Sequence, residues 1–269
     1  MGSTPIHKAA LNGHDVVVSD LPKPDVMDII DGWSPIHYAA TNGHDLVVKL
    51  LIEAGASFDS KDDVNDLCLL YKAATNGHDA VVELLLNAVA CVDFKYFVNG
   101  STPLHKSAAN GHNAVVKMLL KAGVSIYSRD DDESTPLHHA ASNGHSVVVE
   151  LLLQNKVLVN VEDDVFLTLQ MAAWNGHDTV VEILINEGTA MDLKDKFSIR
   201  KYLNGWTLLH YAASDGREAV VKMLVDSGAS NGGTSLHKAV WKKHLGVVEL
   251  LMKLVRRSMQ KPKFYFIQY

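Results

Sequence analysis

Cysteine is scarce in this chain: Cys68 and Cys91 are its two in 269 residues. They cannot supply a disulfide framework at this length, so a buried core must hold the protein together, and a reducing compartment is expected. Long hydrophobic runs are missing as well, and no stretch approaches the roughly 20 apolar residues a membrane helix requires. The opening MGSTPIHKAA lacks the charged start and apolar core of a signal peptide. Gly2 suggests myristoylation, but that motif wants Ser or Thr where Ile6 stands. The expectation is a soluble intracellular protein, cytoplasmic or nuclear, without membrane insertion.

Positive charge is also in deficit. The 25 Lys and Arg face 31 Asp and Glu, a formal net charge of -6, the wrong sign for a protein that gains affinity by neutralising phosphates. Nucleic acid is therefore excluded as the main partner. The bases that exist crowd the end, where Lys253, Arg256, Arg257, Lys261 and Lys263 occur with no acid among them. Catalytic and cofactor signatures are absent: there is no G-x-S-x-G, no G-x-x-x-x-G-K-[ST], no G-x-G-x-x-G, no H-E-x-x-H and no C-x-x-C. No enzyme, cofactor or metal is expected.

What the sequence has instead is repetition. TPIHKAALNGH at 4–14 returns as SPIHYAATNGH at 34–44, TPLHKSAANGH at 102–112 and TPLHHAASNGH at 135–145. Weaker copies are CLLYKAATNGH from 68, LTLQMAAWNGH from 167, TLLHYAASDGR from 207 and TSLHKAVWKKH from 234. Thr or Ser is a good helix N-cap, Pro suits the first helical position, and His then falls at the third, where it can bond back to the cap. Paired alanines let neighbouring helices approach, and Asn-Gly stops the helix with a left-handed glycine. A second amphipathic helix follows, as in HDLVVKLLI at 44–52, whose Val47, Val48, Leu50 and Leu51 must be buried. Two short helices cannot bury their apolar faces alone, so the pairs must stack.

This pattern resembles the ankyrin-repeat family over about residues 3–254. The resemblance implies an all-α solenoid of about eight ankyrin-like helix-turn-helix repeats, starting near residues 4, 34, 68, 102, 135, 167, 207 and 234. It also implies β-hairpin or loop fingers which, with the first helices, line a concave binding groove. The solenoid is expected over 1–255, followed by a basic, aromatic tail at 256–269. Departures are expected at Pro22 and Pro24, which interrupt the first repeat's second helix, and at Cys68 and Leu167, where the standard cap is missing. An extra segment around 197–203 and a shortened connection before Thr234 make the fingers irregular.

Fourteen histidines look like chemistry until they are placed. All but His139 occupy the TPLH or GH slot, which points to helix-end hydrogen bonding rather than to metal ligation. Tryptophan is the better lead. Trp33 and Trp206 precede a cap, Leu67 and Phe166 fill the same slot in other repeats, and Trp174 and Trp241 follow the alanine pair. The resemblance puts all of these on the groove side, where Trp is a frequent binding hot spot. The fingers carry acids at Asp59, Asp62, Asp63, Asp130, Asp131, Asp132, Glu133 and 162–164, which suits a basic or amphipathic protein or peptide partner. Asn160 resembles a finger asparagine that an asparaginyl hydroxylase modifies. The function this reading supports is a non-catalytic scaffold or adaptor, of unspecified oligomeric state. Two alternatives are an unconventional enzyme recruiting His139, Cys68 or the acids, and a regulatory repeat region of a larger protein.

Overall fold

Four of the first helices start where the sequence puts Thr-Pro or Ser-Pro, because proline fixes the backbone of the opening turn and its missing N–H costs nothing there. In the computed structural model this holds for α1 (Pro5–Asn12), α3 (Pro35–Asn42), α7 (Pro103–Ala109) and α9 (Pro136–Ser142). The structure describes residues 4–19, 32–57, 68–88, 92–155, 162–187, 207–229 and 232–260. They form two units, Met1–Val157 and Leu158–Tyr269.

In the first unit the inner row is α1, α3, α5 (Leu69–Asn76), α7 and α9, each packed on the next. The outer row is α2 (Asp15–Ser19), α4 (Asp45–Glu53), α6 (Asp79–Asn87), α8 (Asn113–Lys121) and α10 (Ser146–Gln154). The second unit repeats the plan with α11 (Glu162–Asn175), α13 (Leu208–Ser214) and α15 (Gly232–Lys242) inside. Its outer helices are α12 (Asp178–Asn186), α14 (Glu218–Asp226) and α16 (Leu245–Gln260).

The alanine pairs lie buried between inner helices, while the outer helices bury a Val-Val-x-x-Leu set such as Val47, Val48 and Leu51. Leu50 is only half-buried, a correction to the expected face: at 100° per residue it points well away from the arc shared by the other three. No described helix is long and apolar enough to cross a membrane.

Three local departures change the expected boundaries. First, α11 begins at Glu162 rather than near 167, so the acids at 162–164 form its opening turn instead of a finger. Second, α15 likewise starts at Gly232, two residues before Thr234. Third, α16 continues to Gln260, beyond the expected boundary at 255, because no glycine follows its last apolar turn. The expected interruption at Pro22 and Pro24, the segment 197–203 and the stretch 261–269 lie outside the described residues.

No strand occurs among the described residues. The finger at 92–101 closes with Tyr96 N–H to Ser101 O at 2.9 Å and Gly100 N–H to Tyr96 O at 2.7 Å. The next finger closes with Asp130 N–H to Ser134 O at 3.0 Å. These are turns with a single rung, too short for a ladder.

Candidate interaction surface

A neutral histidine has one donor and one acceptor nitrogen, and the first-helix histidines His7, His105 and His210 use both. His105 Nδ1 accepts from Thr102 N–H at 3.1 Å and lies 2.7 Å from Thr102 Oγ1. Its Nε2–H donates to Ser134 O, 3.1 Å away in the following finger. His7 does the same, with Thr4 N–H at 3.2 Å and Trp33 O at 3.0 Å. The bond to the backbone N–H fixes the tautomer, and the opposite nitrogen ties these helices to the repeat after them. Burial pushes the His105 imidazole down to about 4, the like charge of His139 adding to it, against the opposing pull of the Ser134 carbonyl. In the second unit His210 is also lowered, by burial first and Lys238 second. There the shortened connection replaces the finger carbonyl by the Thr234 hydroxyl, 2.7 Å from His210 Nε2.

The GH histidines point the other way. His78 Nε2 meets Thr41 O at 2.9 Å, His112 meets Thr75 O at 3.0 Å, His145 meets Ala109 O at 2.9 Å and His244 meets Ser214 O at 3.0 Å. Each ring lies close against the glycine of the preceding repeat. A Cβ on Gly77 would come within 2.5 Å of His112 Nδ1. Arg217 takes the histidine's place in the seventh repeat, donating from Nη2 to Trp174 O at 3.1 Å. Its Nε is buried with no hydrogen-bond partner.

His237 breaks the series. Because α15 starts early, this residue sits in the helix's second turn and is exposed, whereas His7, His37, His105, His138 and His210 are buried.

The tryptophans separate into packed and open. Trp33 is half-buried, its ring 5.1 Å from Tyr38 and 6.1 Å from His37, with Lys72 Nζ 5.7 Å above it. Trp174 is half-buried and stacks on Tyr211 at 6.5 Å with an interplanar angle of 19°. Trp241, by contrast, is 83% exposed at the end of α15. Trp206, Leu67 and Asn160 lie outside the described residues, as does the side chain of Phe166, whose backbone is inside α11 rather than ahead of a cap.

The acids separate too. Asp130 is 7% exposed: Oδ1 accepts from Ser134 N–H at 2.9 Å and Asp132 N–H at 3.2 Å, and Oδ2 accepts from His139 Nε2 at 2.6 Å. Burial alone would raise this carboxyl, but the bonds from His139 and Ser134 outweigh it and hold it below the usual range. Asp130 thus organises the finger, and Asp131, Asp132 and Glu133 are the exposed ones. Asp131 N–H reaches Asn99 O at 3.0 Å, which sets them beside exposed Phe97 and Val98 on the previous finger. Those two apolar residues carry no repeat signature, so the sequence alone does not single them out. Tyr71, in the histidine slot of the third repeat, packs 5.1 Å from Tyr96 at the base of that finger, and burial raises its phenol.

Two non-glycine residues among those described have left-handed backbone, Glu133 at φ 59° and Lys243 at φ 62°. Lys243 stands where other repeats have the glycine of the GH turn, a substitution that costs about 1 kcal/mol or more. No group of described His, Cys, Asp and Glu residues could hold a metal ion. A cavity of about 290 Å³ between α6 and α8 is lined by Glu83, Leu86, Asn87, Met118, Lys121 and Ala122.

The family model for ankyrin repeats in three copies matches residues 1–62, 48–130, 70–163, 124–195 and 169–259. The chain belongs to the ankyrin-repeat family. An all-helical repeat solenoid is its fold class, and ankyrin-repeat domains are generally protein-interaction scaffolds. Among solved structures it is similar to the human ASB11 ankyrin repeat domain, at 29% identity and a TM-score of 0.68, covering 82% of this chain and 98% of that one. Comparison with curated proteins returns no match. In this ankyrin-repeat protein histidines of both series connect neighbouring repeats.

Proposed function

We propose that this protein is a non-catalytic scaffold or adaptor that binds a peptide or protein surface along its first helices and fingers. The observation that carries the reading is Trp241, the largest apolar side chain type, held 83% exposed on a packed helix end. Fully exposing such a ring forgoes the burial energy of roughly 150–250 Å² of surface, which a partner can recover. In the first unit Trp33 with Tyr38 forms a half-buried aromatic floor, and Asp131, Asp132 and Glu133 supply exposed charge. That combination suits a basic or amphipathic segment there.

His139 and Cys68, which a groove enzyme would recruit, stand on different repeats: His139 is bound to Asp130, and Cys68 caps α5. Capture from native lysate followed by direct titration of the recovered protein tests the scaffold reading. Binding should weaken at least tenfold in Trp241→Ala or Trp33→Ala while helical circular dichroism is kept. Undiminished binding by both variants would remove these rings from the interface.

A further inference from the structure

The terminal repeat differs from the rest in charge as well as in exposure. Exposed Lys238, Lys242 and Lys243 lie within three residues of Trp241 along the chain, and Lys253 and Arg256 are exposed further along α16. The exposed acids of the neighbouring elements are Glu249 on α16, Glu218 from α14, whose carboxylate lies against Gly246, and Asp215, which follows α13. Within α15 and its closing turn, Lys238, Lys242 and Lys243 occur with no acid among them, in a chain whose overall charge is -6. Val240 and Leu245, within four residues of Trp241, are exposed too, Leu245 at 75%, so this stretch presents apolar and lysine side chains together. Lys243 adds to this, since the turn accepts a left-handed lysine where glycine would be free of strain.

Register gives the surface its length. Trp174, Ser214 and Trp241 occupy equivalent positions at the ends of α11, α13 and α15, which pack in succession. A row across three helix ends matches an extended chain segment better than a membrane, which would meet only the terminal turn.

Resting on the scaffold reading, we propose that the second unit docks an acidic, apolar segment of a partner protein, with Trp241 as its anchor and Lys238, Lys242 and Lys243 as the charge that selects it. Charge complementarity steers association, and the exposed ring supplies the area that holds it. The finger surface of the first unit has the opposite sign, so the two surfaces select different partners.

Three fluorescein-labelled 15-residue peptides sharing one pattern of Leu and Phe, with Glu, Gln or Lys elsewhere, test this by anisotropy against the full chain. The Glu peptide should bind at least tenfold more tightly than the Lys peptide. Its affinity should fall at least tenfold in Trp241→Ala and in the joint variant Lys238→Glu/Lys242→Glu/Lys243→Glu, but not in Lys49→Glu on α4, with circular dichroism unchanged. Sedimentation with phosphatidylcholine vesicles, with and without phosphatidylserine, is the second arm.

Equal binding of the Glu peptide by these variants and the unaltered chain overturns the inference. So does Trp241-dependent binding to the anionic vesicles alone, which would make the patch a lipid contact. If the Lys peptide binds best, through the first unit, the inference falls while the scaffold reading stands. If no peptide binds, the inference falls and the scaffold reading is decided by the capture experiment.

Discussion

His139 Nε2 lies 2.6 Å from Asp130 Oδ2, joining the first helix of the fifth repeat to the finger that precedes it. The same carboxylate accepts two backbone N–H bonds within the finger, so one buried group determines the shape of the loop that presents Asp131, Asp132 and Glu133. Replacing His139 by Ala leaves the carboxylate without its side-chain donor. The expected cost is about 1–3 kcal/mol, read as a lower urea midpoint, with faster amide exchange confined to 129–134. Unchanged exchange there would show that the turn holds itself.

Acid should weaken the first unit before its carboxylates titrate. The His105 imidazole is held at about 4 in the folded chain, against an ordinary value of 6.5. Between those values the unfolded chain binds a proton that the folded one refuses. The stabilisation is thus complete above about pH 6.5 and is lost as pH falls towards 4, by on the order of 3 kcal/mol. His105→Gln should flatten that part of the stability profile. A profile equally steep with and without the imidazole would assign the effect elsewhere.

Gly77 and Gly123 have nearly the same left-handed backbone, φ 72° and 79°, but different surroundings. A Cβ at Gly77 meets the His112 ring, whereas one at Gly123 meets nothing within 4 Å. Gly77→Ala should therefore cost more than Gly123→Ala, by about 1–2 kcal/mol, because it adds the displaced His112–Thr75 bond to the backbone strain. Equal losses in urea denaturation would show that the ring moves freely.

Arg217→His should stabilise the second unit. Histidine can keep the bond to Trp174 O that His78, His112 and His145 make to equivalent carbonyls, and it removes the buried Nε that has no partner. The gain is expected at about 1 kcal/mol in the unfolding of the second unit. A loss would mean that the longer guanidinium is needed to fill the space above Gly176.

The repeat string by itself specifies much of this protein. Thr4, Ser34, Thr102 and Thr135 start helices, Pro occupies the first turn, His bonds back to the cap, and the alanine pairs face the core. All of this follows from local geometry, in which the acting atoms lie within four residues of one another. The family and the helix-pair architecture were legible for that reason. Where the local signal weakens, at Leu167 and Thr234, the helices start earlier than the pattern suggests, at Glu162 and Gly232.

Only the tertiary structure decides what connects one repeat to another and what remains exposed. That His105 reaches the next finger while His112 reaches the previous helix depends on partners about 30 residues away. Asp130 and Asp131 are neighbours of one residue type, yet one is buried by His139 and the other faces solvent. Trp174 and Trp241 share a slot in the repeat, but Tyr211 stacks on the first, and the second stands 83% exposed among lysines. Burial is a property of the surroundings, and the surroundings of each slot are supplied by another repeat.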